Sequence, residues 1–93
     1  MTDIARSDAG LRPNADVLSK RLDQASVLVQ IATNRIFELN ETGTRAWELI
    51  CQGLDADEIV RCLVDEFDVL PSQAADELNA LIIQLRTEGL LAT

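Results

Sequence analysis

Arg35-Ile-Phe-Glu-Leu-Asn-Glu-Thr-Gly-Thr-Arg-Ala-Trp-Glu-Leu-Ile50 contains the change of periodicity that decides the fold. As far as Asn40 the apolar residues alternate. Phe37 and Leu39 read as one face of a strand and continue the odd-numbered series Val27, Val29 and Ile31. From Thr42 onward apolar residues recur every three or four positions, and Ala46, Trp47 and Ile50 read as a helix face. Asn40-Glu-Thr-Gly-Thr44, between the two patterns, is rich in residues that cap helix N-termini. The stretch predicts a strand-to-helix junction carrying the only tryptophan of the chain.

Working back from the junction, Ser26–Ala32 is rich in β-branched residues and predicts a strand, with Thr33-Asn34 as a turn of about two residues into the strand Arg35–Leu39. An earlier strand is expected over Val17–Leu22. Residues 1–16 mix small and charged residues with Gly10 and Pro13 and show no period, so they predict a flexible tail. The folded domain is accordingly expected over residues 17–93.

Working forward, three helices are expected. The first covers about Thr42–Gln52 and ends at Gly53, a residue suited to a left-handed cap. The second begins at Asp55, with Asp57 and Glu58 in its first turn and a stripe of Ile59, Val60, Leu63, Val64 and Phe67. The third begins with Pro71 as first helical residue or Ser72 as cap and runs to about Glu88, where Gly89 stops it. At about 100° per residue, Ala75, Leu78, Ile82 and Leu85 share its core arc, with Ala74 and Leu81 on the shoulder. Ile83 falls off that arc, beside Asp76, Asn79 and Arg86. Leu90-Leu-Ala92 predicts a short extended end. Strands grouped before helices predict an α+β domain: a small three-stranded antiparallel sheet followed by a three-helix bundle. Such a sheet has two edges, and an open edge invites another chain to pair.

Ninety-three residues make one small domain, and the core is aliphatic, since Phe37, Trp47 and Phe67 are the only aromatics. The net charge of −8 is unevenly placed. Residues 1–40 balance five acids with five bases, whereas residues 41–93 carry eleven acids against Arg45, Arg61 and Arg86. That field repels phosphate, so nucleic acid is not an expected partner of the helical half. No continuous apolar run marks a signal peptide or membrane span, and a cytoplasmic protein is expected. Cys51 and Cys62 read as reduced, largely buried thiols, with a disulfide open to them only if their two helices face each other there. With no histidine in the chain, neither an activated nucleophile nor a tetrahedral metal site is supported. The isolated glycines make no phosphate loop. An enzyme is not expected, nor a cofactor. A binding module is what remains.

Several runs then resemble the PqqD-like family. Phe37-Glu-Leu-Asn-Glu-Thr-Gly-Thr-Arg-Ala-Trp47 is similar to its signature of a hydrophobic strand ending in Leu-Asn, a cap, and a helix bearing Ala-Trp or Ile-Trp. Asp55-Ala-Asp-Glu-Ile59, Leu63-Val-Asp-Glu-Phe-Asp-Val69 and Leu81-Ile-Ile-Gln-Leu-Arg-Thr-Glu-Gly-Leu-Leu91 resemble its later motifs in order. Thr42-Gly43 and Cys51-Gln-Gly53 depart from the pyrroloquinoline-quinone branch. The resemblance implies a RiPP recognition element, a winged-helix-like domain that binds the leader of a ribosomally made precursor peptide. It implies presentation of that peptide to a modifying enzyme such as a radical SAM protein, a cyclase or a leader peptidase. The leader would add as an antiparallel strand beside Arg35, Ile36, Phe37, Glu38, Leu39 and Asn40. For the facing helix surface, helical geometry rather than the motif nominates Asp76, Asn79, Ile83 and Arg86. Two other readings stand beside this one: a winged-helix DNA-binding regulator, disfavoured because Arg86 is the only base between Ser72 and Glu88, and a scaffold subunit that homodimerises through the same open edge.

Overall fold

The computed structural model describes residues 11–92. In chain order the elements are β1 (Arg12–Pro13), β2 (Val17–Leu22), β3 (Ala25–Gln30), β4 (Arg35–Leu39), α1 (Glu41–Cys51), α2 (Ala56–Glu66), α3 (Pro71–Thr87) and β5 (Leu91–Ala92). The expected α+β order of three antiparallel strands and three helices is what forms, with β3 in the middle of the sheet and β2 and β4 at its edges.

The face of β3 that meets the helices is the reverse of the expectation. Ser26, Leu28 and Gln30 are buried, whereas Val27 and Val29 are half-buried on the outer face and Ile31 is exposed. The register gives the reason. Leu28 pairs with Phe37 and Ser26 with Leu39, so each pair joins an even position of β3 to an odd position of β4. Side chains of a pair share a face, so one odd-numbered series cannot line the same face of both strands. The connection is also longer than expected. β3 ends at Gln30, and Ile31–Asn34 form the turn, with Asn34 at φ 58°.

A second correction concerns the expected tail over residues 1–16 and the domain start at residue 17. Residues 1–10, like Thr93, lie outside the described residues. Leu11, however, is a core residue, and Arg12 and Pro13 pair with Ala92 and Leu91. Pro13 lacks an N–H, which a two-residue ladder tolerates. The clasp is reinforced by side chains: Asn14 Nδ2 and Gln30 Nε2 donate to the Gly89 carbonyl at 3.1 and 2.6 Å. Gly89 sits at φ 75°, a left-handed conformation that suits glycine. The short end expected at Leu90–Ala92 therefore has a partner strand.

The helices begin where their caps dictate. Asn40 stays extended and its side chain accepts from the Gly43 N–H at 2.8 Å. Asp55 and Glu58 form a reciprocal capping box at 2.9 Å each. Pro71 is the first residue of α3, which has no side-chain cap. Buried faces from all three helices meet Leu28 and Leu39 of the sheet: Ala46, Trp47, Leu49 and Ile50 from α1, Ile59 and Leu63 from α2, and Ala74, Leu78, Ile82 and Leu85 from α3. Arg45 joins α1 to α2 through a two-pronged contact with Glu66, at 2.7 and 3.0 Å. Cys62 is half-buried as a free thiol; Cys51, expected inside, is exposed at the end of α1.

Candidate functional site

β4 is an edge strand, and its ladder fixes which backbone groups are free. The Ile31 N–H donates to Asp16 O at 2.9 Å, so residues 31, 29 and 27 turn their N–H and C=O toward β2. Alternation then turns residues 26, 28 and 30 toward β4, where they meet Leu39, Phe37 and Arg35. Ile36 and Glu38 are the intervening residues, and their backbone N–H and C=O groups point away from the sheet. Two donors and two acceptors thus stand unpaired by β3 along the open edge.

Beside this edge runs a cleft of about 390 Å³. Glu38, Leu39 and Asn40 form one wall, and Thr42, Gly43 and Ala46 of α1 close one end. Leu63 lies deep in it, and Glu77, Leu78, Ala80, Leu81 and Gln84 of α3 form the opposite wall. Apolar residues thus line it together with Glu77 and the amides of Asn40 and Gln84, while Glu38, whose side chain lies on the other face of the sheet, borders it through its backbone. Gly43 keeps the end wall low: a Cβ there would meet Asn40 Oδ1 at 3.2 Å and Leu39 side-chain carbons at 3.5 Å. Between the far ends of β4 and α3, Arg35 pairs with Glu88 at 3.2 Å while its guanidinium lies 5.8 Å from the centre of the Phe37 ring.

The sequence-nominated residues divide between two places. Arg35, Ile36, Phe37, Glu38, Leu39 and Asn40 lie together on β4 and its exit, as expected. The helix positions do not join them. Asn79 and Arg86 line a separate hollow with Leu11, Asp55, Ala56, Asp57 and Ile82. Ile83, 65% exposed, and the exposed Asp76 share their side of α3 rather than the cleft wall. The arc that faces β4 is Glu77, Ala80–Leu81 and Gln84. Its signal in the sequence was Leu81 on the shoulder of the core arc with small Ala80 next to it.

Away from the cleft, the Arg45 contact holds the Glu66 carboxyl below its ordinary range and raises Arg45 in turn, while partial burial and then Glu48 push the exposed Cys51 thiol up. Among the described residues no group of three or more His, Cys, Asp or Glu is arranged to hold a metal ion, and no helix is long and apolar enough to cross a membrane.

Two solved structures share this arrangement. One, "TbiB1 in Complex with the TbiA(beta) Leader Peptide", superposes with a TM-score of 0.81 at 28% identity, covering 86% of this chain and 93% of that one. Another, "Lasso peptide synthetase B1 complexed with the leader peptide", has a TM-score of 0.80 at 20% identity, covers 88% of this chain and 96% of that one, and speaks to the fold alone. No curated protein matches the chain. The family profile described as coenzyme PQQ synthesis protein D (PqqD) matches residues 25–91, from the start of β3 into β5, and by that match over most of its length the chain belongs to the PqqD family.

Proposed function

We propose that this chain is a RiPP recognition element: it binds the leader of a ribosomally made precursor peptide as a fourth strand beside β4 and presents it to a modifying enzyme or leader peptidase. The observation that carries the reading is the open edge of β4 lying beside the α3 cleft. Backbone groups of Ile36 and Glu38 supply a sequence-independent ladder, and the cleft supplies pockets for alternate side chains. PqqD membership and the 28%-identical leader-peptide complex support the same reading.

The role is that of an adaptor rather than a catalyst, because nothing in the cleft is a nucleophile with a base beside it. Its occupant is a segment with apolar residues at alternate positions, and Glu77 on the α3 wall of the cleft favours a leader carrying Lys or Arg near it. Ordering a flexible leader costs about 2–5 kcal/mol or more, which leaves micromolar to submicromolar affinity. Duplex nucleic acid fits poorly, since α3 sets Arg86 against Asp76 and Glu77, with Glu88 just beyond.

The test is a fluorescence-anisotropy titration with labelled leader segments of precursors encoded near this gene. Leu81→Asp places a charge in the cleft and is expected to weaken binding at least about tenfold, the equivalent of about 1.4 kcal/mol. Ile83→Asp, on the other side of α3, is expected to stay within about threefold of the parent. Equal affinities for the parent and a folded Leu81→Asp variant would refute binding in this cleft.

A further inference from the structure

The outer face of the sheet carries a second apolar surface, turned away from the helices. Leu18, Val29 and Ile36 lie side by side across the three strands, and Lys20, Val27 and Glu38 form the adjacent row. Leu18 and Ile36 are 60% and 66% exposed, so the face has no cover within the described residues. Lys20 and Glu38 stand two strand spacings apart, roughly 10 Å, too far for contact between them. Among the described residues neither is in an ion pair.

We infer that this face docks on the same face of a second copy of the chain, about a two-fold axis running along β3. Such an axis keeps height along the strands and exchanges the two edges. It therefore sets Lys20 of one copy against Glu38 of the other, twice, Leu18 against Ile36, twice, and Val27 and Val29 against themselves. The face is thus complementary to itself in both charge and apolarity, which an isologous interface requires. An axis across the strands would oppose residues of different rows and lose this match.

The placement of charge favours the same partner. Residues 1–40 are electrically balanced, and the acid excess lies in residues 41–93, mainly on helices packed against the other side of the sheet. Two sheets packed back to back, about 10 Å apart, turn both acidic halves outward. Three strands of about 20 Å give a flat footprint of roughly 300 Å² per copy, about 600 Å² in all before corrugation, which is less than the roughly 1,200 Å² at which stable specific interfaces begin. The dimer is correspondingly weak. It leaves the outward backbone groups of Ile36 and Glu38 free, so it requires neither the presence nor the absence of a leader.

Sedimentation velocity on the whole chain, from about 1 to about 500 µM, tests the inference. The parent is expected to pass from monomer to dimer in that range. Leu18→Ser, distant from the β4 edge, is expected to weaken association at least tenfold, and Lys20→Glu to weaken it likewise. Combining Lys20→Glu with Glu38→Lys restores the opposed charges and is expected to return association to within about threefold of the parent. Circular dichroism checks that each variant is folded. A parent that remains monomeric throughout overturns the inference, and so does association indifferent to Leu18→Ser, which would mark pairing along a strand edge. Failure of the double exchange to restore association overturns the assigned axis.

Discussion

Ser26 Oγ and Thr44 Oγ1 lie 2.8 Å apart in a buried contact that ties the middle strand of the sheet to the first turn of α1. Thr44 Oγ1 also reaches the Leu39 carbonyl at 3.3 Å. The pair sits directly behind the strand-to-helix junction, so it sets how β4 meets the helices. Thr44→Val keeps the side-chain shape but leaves the Ser26 hydroxyl buried without its partner. A loss of about 1–3 kcal/mol in urea unfolding is expected. Adding Ser26→Ala removes the stranded hydroxyl, so the double variant should lose less than the sum of the two single changes.

The β1–β5 clasp predicts that the N-terminal segment matters for stability. Leu11 is 8% exposed and belongs to the core cluster. Leu11→Ala is expected to cost about 2–3 kcal/mol, and removal of residues 1–14, which also deletes the ladder to Leu91 and the Asn14 bond, should cost more. Thermal unfolding decides the matter: a dangling tail would leave the midpoint unchanged.

Acid should act in part through Arg45 and Glu66. The guanidinium holds the Glu66 carboxyl below its ordinary range in the folded chain. Over that interval the unfolded chain binds more protons, so stability rises with pH. The contribution is complete above the ordinary glutamate value of about 4.3 and is lost as pH falls through the lowered folded value. The pair is about a third exposed, so its worth is at most about 1 kcal/mol and falls with salt. Urea unfolding at a series of pH values should show a shallower rise for Glu66→Gln than for the parent over this acid window.

How much of this was legible in the sequence follows from which periodicities carry their own phase. Asp55, Gly53 and Gly89, with the cap-rich run Asn40–Thr44 and the choice between Pro71 and Ser72, placed the helix ends closely, because capping is local chemistry. The phase of β3 against β4 is not local. Any turn with an even number of residues pairs odd positions with even ones, so Val27 and Val29 could not share a face with Phe37 and Leu39 whether the turn held two residues or four. Buried Ser26 and Gln30 hid the true inner face, since each is polar and satisfied by a partner distant in sequence, Thr44 and Gly89. The clasp escaped for a similar reason: two residues of strand have no period. On α3, the core arc of Leu78, Ile82 and Leu85 was readable, but which flank meets β4 depends on how the helix is placed over the sheet. Helical geometry alone therefore selected Asp76, Asn79, Ile83 and Arg86, whereas the α3 residues lining the cleft beside β4 are Glu77, Leu78, Ala80, Leu81 and Gln84.

Strand addition as proposed pairs the leader with the outward backbone of Ile36 and Glu38. Residue-resolved amide hydrogen exchange, with and without a saturating leader peptide, measures that pairing directly. Strong slowing is expected at the Ile36 and Glu38 amides, with Ser19 and Arg21 on the opposite edge unchanged. Slowing at Ser19 and Arg21 with Ile36 and Glu38 unaffected would contradict it.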